Sequence, residues 1–115
     1  MLHIECTRFK VKPGQSACAD KWMAFLNEHM ADVLLTLDGE KMYVETILRE
    51  KKADGDFLYW YSIQGEGGSA VEDSDSWIDK KHLEYWQACI DSTYEPQELT
   101  PEVVMIPERI RSRMA

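Results

Sequence analysis

Two runs rich in β-branched and aromatic residues, 42–51 and 57–63, are joined by Asp54-Gly55, a residue pair that closes a tight hairpin. Within them Tyr43, Ile47, Leu58 and Trp60 alternate with Val44, Leu48, Tyr59 and Tyr61, so apolar side chains fall on both faces of the pair. An antiparallel ribbon with one wet face alternates apolar with polar instead. A sheet built on this hairpin therefore needs cover on both sides, from a second layer or from a partner chain. With 115 residues, the chain has enough length for one domain with a single modest core.

The remaining elements follow from periodicity and punctuation. Residues 2–12 read as a first strand, stopped by Pro13-Gly14. Ser16 then caps a helix reaching about residue 38. Its apolar stripe is Trp22, Phe25, Leu26, His29, Met30, Val33, Leu34 and Leu37, and Asp38-Gly39 ends it. Residues 65–75 are Gly-, Ser- and acid-rich and read as loop, with one helical turn around Val71. A second helix starts after Ser76 and ends near Asp91, with Ile78, His82, Tyr85, Trp86 and Cys89 on one face. Residues 94–101, with two prolines, read as an irregular connection; 103–106 read as a fourth strand and 109–115 as a frayed tail with three arginines. The order β-α-β-β-α-β is the split βαβ, ferredoxin-like pattern. It predicts an α+β domain over residues 1–115, a four-stranded antiparallel sheet with both helices on one face. Face-to-face pairing of two such sheets is the simplest cover for the other face.

Charge narrows the partners. The net charge is −8 and the pI about 4.8, which repels phosphate backbones and anionic lipid, so neither nucleic acid nor a membrane surface is expected. No apolar run approaches membrane-spanning length, and residues 1–5 lack the basic-then-apolar order of an export signal. Three widely spaced cysteines, Cys6, Cys18 and Cys89, fit reduced thiols in the cytoplasm better than a disulfide framework.

Several short pieces occur in a recognisable order: Glu5-Cys6-Thr7-Arg8 before Lys12-Pro13-Gly14, then Trp22 and Leu26-Asn27, then Tyr43-Val44-Glu45. Asp54-Gly55-Asp56 precedes Leu58-Tyr59-Trp60-Tyr61, and Ile78-Asp79-Lys80-Lys81-His82 comes last. In this the chain resembles an uncharacterised, mainly bacterial family of dimeric α+β barrel domains, related in fold to small antibiotic-biosynthesis-type monooxygenases. That resemblance implies a fold and a homodimer. The family has no assigned activity, so it implies no chemistry.

His82 is the most informative residue, an ionisable group in the middle of an apolar stripe. Asp79, one turn earlier, is spaced to orient the ring, and a His so held is a candidate general base. Ser76-x-x-Asp79 is also a capping-box pattern, in which Asp79 only satisfies the helix start. His29 is a second imidazole within an apolar stripe. With His82 and either Glu45 or Glu5 it would form a two-His-one-carboxylate set, but no metal-binding motif spacing supports this, and neither metal nor cofactor is expected. Glu45 and Arg8 stand in strands, where a pocket role and a solvent-facing role explain them equally. Tyr61 and Trp86 belong to an aromatic set suited to a flat ligand, or to core and interface. Gly65-Glu66-Gly67-Gly68 lacks the lysine of a phosphate loop and reads as a flexible loop, a candidate lid.

Three functions stay open. One is a homodimer binding a small organic ligand between helices and sheet through His29, Glu45, Tyr61, Trp86 and Arg8. Another is a cofactor-independent monooxygenase- or isomerase-like enzyme with His82 as base and Asp79 as its orienter. The third is a non-catalytic interaction module.

Overall fold

The computed structural model describes residues 1–114. The elements are β1 (His3–Lys10), α1 (Ser16–Glu28), α2 (Met30–Gly39), β2 (Met42–Lys52), β3 (Gly55–Gln64), a 3-10 turn (Val71–Asp73), α3 (Trp77–Cys89), β4 (Gln97–Leu99) and α4 (Glu108–Arg111). The strands form one antiparallel sheet in the order β2-β3-β1-β4. The fold is thus α+β, with β3 lying between the two strands that α1 and α2 connect.

Register decides which residues meet the helices. Phe9 pairs with Leu58, Thr7 with Trp60, and Trp60 in turn with Ile47. This face carries the core: Val11, Ala19, Trp22, Leu58, Cys89 and Ile90 are buried, with Phe9, Ile47, Trp60 and Trp86 packed around them. Trp22 and Leu58 have no exposed surface, and each such side chain contributes roughly 1.5–3 kcal/mol by leaving water. The opposite face presents Arg8, Leu48, Tyr59 and Tyr61. The segment after β4 crosses part of it, so that Val104 and Ile106 share a shallow cleft of about 230 Å³ with Ile4, Cys6 and Tyr61. Leu48, Leu99, Val103, Val104 and Met105 stay at least half exposed.

Arg49 fastens the hairpin to α1. Its guanidinium donates to both Asp56 oxygens (3.0 and 2.6 Å), to Asp20 (2.5 Å) and to the Ser16 carbonyl (3.1 Å). The Asp56 carboxyl is accordingly held below the usual carboxylate range, chiefly by the Arg49 bonds.

Four expectations change. The first helix is two: the backbone at His29 leaves helical geometry (φ −109°, ψ 30°), dividing α1 from α2. Ser16 is not a cap; the cap position is Gln15, and the Ser16 hydroxyl donates instead to Asp56 (2.8 Å). The fourth strand is Gln97–Leu99, paired with Cys6, Thr7 and Arg8, and not residues 103–106. Pro101 has no N–H for the ladder, so pairing stops before the β-branched run is reached. Cys18 and Cys89 form a disulfide, with Cα atoms 5.9 Å apart, and Cys6 alone is free. Residues 71 positions apart meet because α1 and α3 pack side by side, a closeness invisible to cysteine spacing.

Candidate functional site

Asp79 sits in the first turn of α3, where a carboxylate complements the helix dipole. The capping box foreseen for it does not form. The Ser76 backbone N–H donates to the Ser74 hydroxyl instead (3.1 Å), and Ser76 makes no side-chain cap bond. Asp79 is only 7% exposed, and among the described residues no buried side-chain nitrogen or oxygen is left without a hydrogen-bond partner.

Asp79 faces an open crevice of about 380 Å³ between α2, the 3-10 turn and α3. Glu40, Asp32, Leu35, Ser74 and Trp77 also line it. The Glu40 carboxyl is pushed up to about 7, first by burial and then by the negative charges of Asp79, Glu45 and Glu72. The loop after β3 is fastened to the end of α2 and forms one wall. Gly65 N–H donates to the Lys41 carbonyl (2.8 Å), Gln64 to the Glu40 carbonyl (2.9 Å), and Ser69 to the Gly39 carbonyl through both its N–H and its hydroxyl (3.0 Å each). Gly68 is there because nothing larger fits: a Cβ at that position would lie 2.0 Å from the Glu40 carbonyl oxygen.

His82 adjoins this acidic group from the core side. Its Nδ1 accepts a hydrogen bond from Trp22 Nε1–H at 3.0 Å, which places the proton of the neutral ring on Nε2. The ring lies tilted against both Trp22 and Trp60, with centroids 5.4 and 5.7 Å away. Burial holds the imidazole below its ordinary pKa, and the Asp79 charge only partly offsets this. Asp79 therefore acts on His82 through its field and not through a hydrogen bond. Trp60 donates its Nε1–H to Glu45 at 2.6 Å. The Glu45 carboxyl is held above its ordinary pKa, first by burial, with the Trp60 bond pulling it down and the Asp79 charge adding to the rise. Trp86 completes the cluster, edge-on to Trp22 and Trp60.

The sheet thus brings His82, Asp79, Glu45 and Trp86 into one neighbourhood. The other residues singled out lie elsewhere. His29 packs on Phe25 and Trp77 at the α1–α2 break, away from the Trp22–Trp60 pair that holds His82. The two imidazoles do not converge, and among the described residues no group of three or more His, Cys, Asp or Glu side chains is placed to hold a metal ion. Arg8 and Tyr61 are on the far face of the sheet: Arg8 donates to the Tyr94 hydroxyl (3.0 Å) and lies over Phe57, while Tyr61 lines the cleft beneath the C-terminal segment. Glu40, Asp32 and Trp77 were not foreseen as site residues. The legible signal was the acid pair Asp38 and Glu40 around Gly39, since negative charge at a helix C-terminus opposes its dipole.

A model of a family of unknown function, DUF6176, matches residues 2–112, nearly the whole of this fold. The chain belongs to that family. No curated protein matches this DUF6176 member. No helix among its described residues is long and apolar enough to cross a membrane.

Proposed function

We propose that this DUF6176 protein is a small-ligand-binding homodimer that takes its ligand in the crevice between α2, the 3-10 turn and α3. The observation that carries the reading is Asp79: a largely buried acid in the wall of a crevice wide enough for a small organic molecule. Dimerisation is supported by the second sheet face, where Leu48, Leu99 and Val104 remain exposed around the partial cover of the C-terminal segment. Binding is favoured over general-base catalysis by His82 because Trp22 already occupies the one lone pair that the neutral ring offers as a base. Catalysis would first require that bond to break, whereas binding at Asp79 leaves it in place.

Residence in the cytoplasm belongs to the same proposal. It calls for Cys18 and Cys89 to persist as a bond, or as adjacent thiols, in a compartment where such bonds are rare. Native mass spectrometry of freshly purified protein tests the whole reading. A dimer carrying a small-molecule adduct that Asp79→Asn abolishes is the expected result. A bare monomer at micromolar concentration sinks it.

A further inference from the structure

After β4 the chain from Thr100 to Pro107 runs as an exposed strap over the far face of the sheet. Among the described residues no backbone hydrogen bond joins 102–106 to the rest of the chain, so the strap is held by side chains. Val103, Val104, Met105 and Ile106 all border the cleft with Ile4, Cys6 and Tyr61, but their exposure alternates. Ile106 is half-buried and Val104 is 51% exposed, against 72% for Val103 and 85% for Met105. Successive side chains of an extended segment point to opposite sides. The strap therefore has one apolar flank on its own sheet and a second in water. Pro101 and Pro107 bracket the run, Pro107 at φ −55° and ψ 142°, and a proline ring keeps such backbone extended. Ordering backbone costs entropy at every residue, and a segment packed on one flank only offsets it poorly.

The charges at the two ends of the strap point to what meets the outer flank. Glu95, Glu98 and Glu102 precede its centre, and Arg109, Arg111 and Arg113 follow it, with Glu108 the one exception to that order. All six are exposed, and among the described residues none of them forms an ion pair. Against a second copy running the opposite way, acids meet bases at both ends. Against a copy running the same way, like charges meet. A two-fold axis perpendicular to the strap produces the opposite direction, and every contact then occurs twice. We propose that the strap is the centre of a homodimer interface. The two straps lie antiparallel, Val103 and Met105 of each packed against the same pair of the other, with Arg109 and Arg111 reaching Glu98 and Glu102 of the partner subunit. This rests on the reading of the chain as a homodimer and adds which residues make the contact and in which direction.

The full chain and its variants are compared by sedimentation equilibrium at low and high salt, with circular dichroism to check that each variant folds. The unaltered chain is expected to be a dimer that weakens as salt screens the ion pairs at its rim. Met105→Asp should weaken it by about tenfold or more, because a charge is then buried in an apolar contact. Glu98→Arg with Glu102→Arg makes both ends of the strap basic, and Arg109→Glu with Arg111→Glu makes both acidic. Each doubly reversed chain alone should dimerise severalfold more weakly. An equimolar mixture of the two should associate again, since every basic end then finds an acidic one. Reversed chains that stay apart on mixing overturn the antiparallel arrangement. A dimer that Leu48→Asp dissociates, but that Met105→Asp and both reversals leave intact, keeps the homodimer and overturns the strap as its centre. A monomer under all conditions overturns both readings.

Discussion

The two faces of the sheet are built to different rules. The face under the helices is dry and interlocked: Trp22, Trp60, Trp86 and Phe9 meet at ring distances of 4.7–6.4 Å. The face under the C-terminal segment is loosely covered, with large apolar side chains half in water. The contrast separates residues that specify the fold from residues free to serve association. It also places the charged groups of interest where the tight face ends, Glu45 among them at the edge of the Trp60 ring that donates to it.

The steepest way to probe this contrast is Trp22→Ala. It empties the centre of the tight face and removes the donor to His82, and it is expected to cost about 3–5 kcal/mol in urea unfolding. A cost near that of a surface change would mean the helices do not seal that face. Next is the Cys18–Cys89 bond, which closes a span of 71 residues between α1 and α3. Its reduction should lower stability by about 4 kcal/mol on the loop-entropy account, and alkylation before reduction should label Cys6 alone. Three labels from protein prepared without reductant would show that the two helices are held by packing only.

On the loose face, Leu48→Asp should leave the unfolding free energy within about 0.5 kcal/mol while shifting sedimentation from dimer to monomer. If it destabilises as much as Trp22→Ala, the faces do not differ in the way described. The smallest effect concerns pH. The folded Glu40 carboxyl titrates at about 7 against an ordinary 4.5, so between those values the folded state holds the extra proton and stability falls as pH rises. His82 has the opposite slope: its folded pKa is depressed from 6.5, so stability is lost as pH drops below that value. Glu40→Gln is therefore expected to raise the melting temperature at pH 8 and to leave the acid-side loss in place. A melting temperature at pH 8 equal to that of the unaltered chain would mean that Glu40 is freely hydrated.

Much of the architecture was legible because it follows from spacing. The hairpin between β2 and β3, the helix with His82 on its inner face, and the doubly apolar sheet all follow from local patterns. What stayed hidden depends on contacts between elements distant in the chain. Asp79 was the natural partner for His82 at three residues' distance, yet Trp22, sixty residues earlier, makes the bond. Propensity pointed to the β-branched run 103–106, but β1 pairs with Gln97–Leu99, a choice fixed by where the connection from α3 delivers the chain. Arg8 and Tyr61 were placed with His82 because strand faces cannot be assigned before register is known. Glu40 escaped notice because the Asp38-Gly39-Glu40 run marks only a helix end, whereas its raised carboxyl comes first from burial and then from Asp79, Glu45 and Glu72, all distant in the chain.

The contact between Gly68 and the Glu40 carbonyl has a consequence for how this chain can vary. Any side chain at position 68 would act as a wedge, prising the loop off the end of α2 and widening the gap above Asp79. Drift at that one position would thus be paid in the shape of the cavity before it was felt in the core, which makes residue 68 the natural dial for altering what the crevice admits.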